Sequence, residues 1–364
     1  MTRKMDGYKT TVVASRKTPS FPSINSSMAK IAHLSGTASK INVGRVAHGL
    51  MMMGRTPEST DEVCFASIKA GIDALPTGAR MVLNSGDFYS KTLGPENLEM
   101  LGRFYTKHPD YADKTFLSVK GAIRNREPDC SMENLRKSVL TIERALGPHK
   151  KMDLYEPARI DRSMKIEAIM ENLVILLKEG HFAHIGLSEC SAETLRRAHA
   201  VYPVTAAEIE VNLWSYESET KKVIETAREL GIAVFAYSPI GKGFLGGRFS
   251  SAADLPTGDY RSRLTRFKDG NLEHNLQVVS ALPELAAKKG VTPAQLAIAW
   301  VAALGRHVIP LPGSSTASRT LENCAAGDIE LSGDEMATMN AIAEAGQVRG
   351  DRMAGGPELE HLWG

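Results

Sequence analysis

The chain has 364 residues, 43% hydrophobic and 24% charged, with a net charge of +2 and a pI near 8.2, the profile of an ordinary globular protein of one large or two small domains. That balance gives no basis for a nucleic-acid or membrane-surface partner, and no run of about 18 apolar residues is present to span a bilayer. Four scattered cysteines, Cys64, Cys130, Cys190 and Cys324, form no CxxC pair and read as reduced thiols of a cytoplasmic protein, while the ten histidines show no HExxH spacing, so no metal is expected.

Residues 1–40 carry Arg3, Lys4, Lys9, Arg16, Lys17, Lys30 and Lys40 against one acid, Asp6, and are rich in Ser and Thr. They read as a basic, disordered extension, with an organellar transit peptide as the alternative; Pro19 and Pro22 would interrupt an amphipathic helix there. From residue 44 onward, short apolar runs alternate with segments of helical period, the signal of parallel strands joined by crossover helices. The first strand spans 46–51, and Ser59-Thr60-Asp61-Glu62 caps a helix to about residue 74. Strands follow at 81–83, 115–119, 152–155, 182–187, 207–211, 232–237 and 308–310. The intervening helices fall at 96–107, 131–146, 166–177, 192–200 and 217–230, with Gly180 as a left-handed stop after the third of these. Residues 242–272 lack periodicity and are too long for an ordinary connector. Thr292-Pro293-Ala294-Gln295 is a capping box opening a helix to about 304, and residues 332–335 open a terminal one. Eight such units fit a (β/α)8 TIM barrel over residues 41–350, with a tail at 351–364; a doubly wound open sheet is the alternative.

In either architecture the chemistry collects where strands give way to the following loops. The stretch LNSGDFYS, residues 83–90, sets Asn84, Asp87 and Tyr89 just beyond a strand, with Gly86 between them; a polar turn with a packed aromatic would look the same. Lys120 ends the next strand in FLSVKG, and Glu156, Ala158 and Arg159 follow the fourth in DLYEPARID. A tyrosine beside a lysine makes chemical sense, because an ammonium favours the phenolate and the pair can then relay a proton near neutral pH.

Taken in order, GLMMMG, NSGDFYS, LSVKG, DLYEPARID, IGLSECS, AYSPIGKGFLGG and IPLPGSS followed by LEN make the chain resemble an aldo-keto reductase over about residues 40–345. The resemblance implies a barrel that binds NADPH without a Rossmann fold and reduces a small-molecule aldehyde or ketone to an alcohol. It implies Tyr89 as proton donor and Lys120 as the residue that tunes it. Two departures stand out. The family usually has Asp where this chain has Asn84, and His where it has Ala158. Asn84 can orient the ammonium but supplies no counter-charge, and Glu156, on the same strand face as Ala158, is a candidate for the missing polar contact. Asn before GDFY, GLM near the start and YEPARID are similar to one branch, the fungal pyridoxal reductases; the small Ala158 would suit a substituted pyridine ring.

The resemblance also implies the cofactor positions. Gly49, Leu50 and Met51 lie at the first strand end. Ser188 and Glu189 would meet the nicotinamide carboxamide, Glu189 replacing the usual Asn, and Glu208 stands where Gln is common. Tyr237 would stack on the nicotinamide, with Ser238, Ile240 and Gly241 bringing backbone amides to the pyrophosphate. Ser314, Ser315 and Arg319 would take the 2'-phosphate, and Glu322 and Asn323 the adenine. SSTASRTLEN also reads as a helix start, and the two readings are compatible because a helix N-terminus attracts phosphate. Reduction of pyridoxal is the expected activity. Reduction of other aldehydes is the first alternative, and a nucleotide-sensing or channel-associated subunit with little turnover is the second.

Overall fold

The structure is a computed structural model that describes residues 30–55, 58–247, 249, 251–255, 258–268, 270–345, 348–353 and 361–364. A short hairpin, β1 (Ile31–His33) with β2 (Asn42–Gly44), precedes β3 (His48–Gly49), β4 (Met81–Gly86) and β5 (Thr115–Gly121). A second hairpin, β6 (Ile123–Arg124) and β7 (Glu127–Pro128), turns at Asn125 and Arg126, both left-handed. Then come β8 (Leu154–Pro157), β9 (His184–Ser188), β10 (Ala206–Glu210), β11 (Ala233–Tyr237) and β12 (Val308–Leu311).

One eight-stranded sheet runs in the order β12, β11, β10, β9, β8, β5, β4, β3, and every pairing in it is parallel. Its ends meet: Ala47 N donates to Pro310 O at 2.8 Å, Gly49 N donates to Pro312 O at 3.0 Å, and Gly49 bridges Gly313 in parallel. The fold is a (β/α)8 barrel. The helices that cover it are α1 (Asp61–Asp73), α2 (Glu96–Lys107), α3 (Met132–Leu146), α4 (Ile166–Lys178), α5 (Ala192–Val201), α6 (Ser218–Leu230), α7 (Asn271–Val278), α8 (Leu282–Lys289), α9 (Pro293–Ala303), α10 (Ala317–Ala325) and α11 (Gly333–Ala345). Three of the predicted helix starts are capped by their own side chains. Thr60, Ser131 and Thr292 accept from the N–H groups of Val63, Asn134 and Gln295, and Gln295 returns the bond to Thr292 N.

Two expectations change. The extension does not run to residue 40, because residues 31–44 form the first hairpin; Ala32, Leu34 and Val43 pack with Val82, Phe116, Leu154, Ala206, Phe235 and Ile309 in one apolar cluster. Burying those side chains at the barrel floor holds that segment whatever its charge. Residues 1–29, where the rest of the expected tail falls, lie outside the described residues. The aperiodic stretch ends at α7, and α8 follows; Pro283 in the first turn and left-handed Gly290 bound α8, but eight residues are too few for a clear period.

Candidate active site

Successive strand side chains alternate faces, so each inward row repeats every second residue. Along β4, β5, β8 and β10 the inner row begins apolar, with Val82, Phe116, Leu154 and Ala206. One step on, it becomes polar, with Asn84, Ser118, Glu156 and Glu208, all buried. One step further lies Lys120, 4% exposed, paired in register with Gly86 on one side and Glu156 on the other. The barrel floor thus seals the bottom of a polar shaft, and the reactive groups sit at its upper end.

Lys120, Asn84 and Glu208 close a ring of hydrogen bonds. Lys120 Nζ donates to Glu208 Oε1 at 2.6 Å and to Asn84 Oδ1 at 2.5 Å, and Asn84 Nδ2 donates to Glu208 Oε2 at 2.5 Å. Glu156 lies beside the ring. Its Oε1 accepts from Ser118 Oγ at 3.0 Å and from Asn84 Nδ2 at 3.4 Å, and stands 3.9 Å from Lys120 Nζ. Its Oε2 has no hydrogen-bond partner among the described residues. Burial acts to depress Lys120, but Glu208, through its charge and its hydrogen bond, outweighs it and holds the ammonium above its ordinary range. Burial and repulsion from Glu208 lift Glu156 well above the carboxylate range against the pull of Lys120.

Tyr89 lies over this ring, 9% exposed, with Lys120 Nζ 5.2 Å from its ring centroid. Gly86 makes the room: a Cβ there would come within 3.0 Å of Tyr89 Cδ1 and 3.1 Å of Cε1. Asp87 N donates to Lys120 O at 2.9 Å, and the Asp87 carboxylate accepts from Ser138 Oγ at 2.5 Å. The expected lowering of the phenol is reversed. Burial raises Tyr89, and although Lys120 pulls it down, Glu208 and Glu156 push it up. The group is a phenol with a proton to give.

The strand ends on the other side hold a second buried network. Glu189, left-handed at φ 53, accepts from Tyr237 Oη at 2.7 Å, from Glu210 N at 3.1 Å, and from Arg352 Nη2 at 2.7 Å. Glu210 also takes Lys242 Nζ at 2.7 Å. Arg352 lies 4.8 Å from the Trp363 ring centroid, so the expected tail is packed on the strand ends at these two residues. After β11 the backbone is left-handed at Ser238, Gly241, Lys242 and Gly243, and the turn is closed by Gly241 N donating to Ser238 O and Gly243 N to Ile240 O, both at 2.9 Å.

Residues 45–344 match the sequence profile of the Aldo/keto reductase family. The chain belongs to that family. A relative from Schizosaccharomyces pombe named "Probable pyridoxal reductase 2" is 32% identical over 321 residues, covering 85% of this chain and 94% of its own. The solved structure of the glycerol dehydrogenase AKR11B4 from Gluconobacter oxydans superposes with a TM-score of 0.73 at 22% identity, covering 88% of this chain and 97% of that one. A thermostable aldo-keto reductase, Tm1743, in complex with the inhibitor epalrestat, gives a TM-score of 0.65 at 18% identity over 86% of this chain and 99% of that one. At such identities these two structures speak to the fold.

Against the positions that the family resemblance implies, the geometry divides. Tyr89, Lys120, Asn84 and Glu156 come together. Glu156 is 0% exposed within the shaft, which leaves it no open face toward a substrate. Ala158, just past β8, is also buried, its carbonyl accepting from Arg159 Nη1 at 2.6 Å. Glu208, implied as a cofactor position, instead joins this cluster through Lys120 and Asn84. Gly49 meets Gly313 across the closing seam, Leu50 is buried with its carbonyl accepting from Asn97, and Met51 is half-buried beside it. Ser188 is buried at the end of β9, Glu189 and Tyr237 are bound to each other, and Ser238, Ile240 and Gly241 lie in the turn after β11. Ser314 is spent inward on His48 Nε2 at 3.1 Å and Thr320 Oγ1 at 2.6 Å. Ser315 is half-buried and Arg319 exposed at the first turn of α10. Glu322 accepts from Thr292 Oγ1 at 2.8 Å, and Asn323 is buried. Ser118 and Arg352 went unforeseen. Ser118 shares the inward row of Lys120 two residues on, a signal the strand period contains; Arg352 lies beyond the last helix and carries none.

Proposed function

We propose that the protein reduces aldehydes to alcohols with NADPH, and that pyridoxal, reduced to pyridoxine, is its substrate. The observation that carries the reaction type is the protonated, buried Tyr89 set over the charged Lys120. The substrate rests on the relative named as a pyridoxal reductase and on the resemblance of NSGDFY and YEPARID to that branch.

The residues fit a dinucleotide in part. The turn after β11 lies where a pyrophosphate is expected, although its Gly241 and Gly243 amides are bonded within the turn, and exposed Arg319 on the first turn of α10 suits a 2'-phosphate rather than a free ribose hydroxyl. Ser314, spent inward, gives no such support. The bound nicotinamide would supply the hydride. Tyr89 Oη gives its proton to the oxygen of the carbonyl being reduced and is left as phenolate, which Lys120 stabilises by charge. Since Lys120 is itself anchored by Glu208 and Asn84, its charge is in place before the proton moves, and little reorganisation is required. We place the activity in the cytoplasm on the four free thiols, Cys64, Cys130, Cys190 and Cys324.

The test is NADPH oxidation by purified protein with pyridoxal, run beside a panel of unrelated aldehydes. Turnover of pyridoxal with the highest kcat/KM is expected. A higher kcat/KM for aliphatic aldehydes would reassign the substrate. NADPH binding with no oxidation on any aldehyde would replace the enzyme by a sensor.

A further inference from the structure

A buried ammonium requires a counter-charge, and the one expected on the strand of Tyr89 is absent, because residue 84 is an amide. Two carboxyl groups lie near enough to supply it. Glu156 stands at 3.9 Å from Lys120 Nζ, outside hydrogen-bond range, and spends Oε1 on Ser118 and Asn84. Glu208 stands at 2.6 Å, on β10, across the barrel from β4. Its other oxygen is tied to Asn84, whose own carbonyl oxygen returns to Lys120. That ring needs a residue at 84 that both donates and accepts. An ionised Asp would accept only and would face a second carboxylate.

We infer that Glu208 is a positioning residue for the proton transfer, the counter-ion that keeps Lys120 charged and aimed at Tyr89, with Asn84 as the amide that locks the pair. This deepens the reductase reading and rests on it for its kinetic arm. The assignment removes Glu208 from the cofactor role that its place at the end of β10 implies. It also makes residues 84 and 208 exchangeable as a pair: amide on β4 with carboxylate on β10, or carboxylate on β4 with amide on β10, each giving one negative charge to one ammonium. Either single exchange breaks the balance, Glu208→Gln by removing the charge and Asn84→Asp by adding another.

The charged and titratable groups that bear on Tyr89 and Lys120 are Glu156 from β8, Glu208 from β10, and Arg55 from the loop after β3, with Cys190 beyond Glu156. In Glu208→Gln, Glu156 is near enough to ionise and to blunt the loss of charge, but it does not restore the amide lock.

The test is a double-mutant cycle of Asn84→Asp, Glu208→Gln and both together, on the full chain. Pyridoxal and 4-nitrobenzaldehyde serve as probes for reduction, and pyridoxine and 4-nitrobenzyl alcohol for oxidation, with cofactor saturating. Each single variant should lose at least about tenfold in reduction kcat, and the double variant should return to within about threefold of wild type. The pH limb of alcohol oxidation, which needs phenolate, should move down in Glu208→Gln, up in Asn84→Asp, and back in the double variant, because a lost carboxylate favours phenolate and an added one opposes it. Urea unfolding reads the same pairing without turnover: each single variant should be less stable than the double, so recovery there supports the pairing even if neither probe is turned over. NADPH binding, followed by fluorescence, should hold in every folded variant. A double variant no better than the worse single one overturns the inference. So does a Glu208→Gln protein that loses NADPH affinity with an unmoved pH limb, which would return Glu208 to the cofactor. If Glu208→Gln fails to fold, a folded double variant supports the pairing and an unfolded one overturns it.

Discussion

Asn84 Nδ2 and Glu208 Oε2 meet at 2.5 Å across the barrel interior, and this contact accounts for an amide at the strand end before Tyr89. A carboxylate at 84 would repel Glu208; an amide joins it to Lys120. Placing the negative charge on β10 leaves the proton donor beside a paired cation. The pair costs desolvation of two ions, but its geometry and the third partner offset that cost.

Tyr89→Phe should retain fold and NADPH affinity while turnover falls by at least about 100-fold, the scale for losing a positioned proton donor. The ring stays packed over Gly86; only the hydroxyl is gone. Steady-state kinetics with pyridoxal and a fluorescence titration of NADPH check it, and near-normal turnover would place the donor elsewhere.

Arg319→Ala should weaken NADPH by about 1.5 to 3 kcal/mol, the worth of a hydrogen bond to a charged group, and leave NADH nearly unchanged. Arg319 is exposed on the first turn of α10, so its loss should not disturb the core. Parallel titrations of both cofactors decide it; equal losses would remove Arg319 from the 2'-phosphate.

Arg352→Ala should destabilise the protein by roughly 3 to 5 kcal/mol, since it strips Glu189 and Glu210 of a buried partner. Burial acts to raise Glu210, but Lys242, Arg352 and Arg266 outweigh it and hold its carboxyl below the ordinary range. A depressed folded pKa gives stability that is whole above the unfolded value of about 4.3 and is lost as pH falls through the folded one. Urea unfolding between neutral pH and the acid limb should therefore show lower stability at neutral pH in the variant and a shallower loss on acidification.

Asp87 titrates in the opposite sense. Burial pushes its carboxyl up to about 6, against the Ser138 hydrogen bond. With the folded value above the unfolded one, the contribution of Asp87 to stability is fully present below about 4 and is lost as pH rises through about 6. Asp87→Asn removes that decline and should be more stable than wild type at pH 8, on the order of 1 kcal/mol after allowance for partial exposure, as read by urea unfolding at both pH values.

The strands were legible because most are short apolar runs between turn residues, and three helix starts because Thr60, Ser131 and Thr292 cap them with their own side chains. Tyr89 and Lys120 were legible from their places at neighbouring strand ends. The partner of Lys120 was not, because Glu208 lies 88 residues away along the chain and only barrel closure brings β10 opposite β4. For the same reason, Arg352 could not be assigned to Glu189 from spacing. Residues 31–44 misled by composition: the basic, acid-poor run that ends at Lys40 marked them as tail, while the buried Ala32, Leu34 and Val43 placed them in the barrel floor.

Gly86 offers a way to separate the position of the phenol from its chemistry. The Tyr89 ring lies so close that a methyl at 86 would meet Cδ1 at 3.0 Å, Cε1 at 3.1 Å and Cγ at 3.3 Å. A flat, buried ring has no flexible end to give way, so in Gly86→Ala the whole ring must shift by some tenths of an ångström. Gly86 itself is not left-handed, so alanine adds no backbone strain. The hydroxyl keeps its proton but loses its alignment with Lys120 and the substrate oxygen, and small displacements at a reacting atom are costly, up to about 100-fold for 1 Å. Gly86→Ala should thus lower pyridoxal turnover by about tenfold while leaving NADPH affinity within about twofold and costing stability about 1 to 3 kcal/mol from overpacking. Kinetics, NADPH titration and urea unfolding on one preparation test this together. Unchanged turnover, with the stability loss present, would mean that the ring has freedom to reseat itself and that Gly86 serves the turn alone.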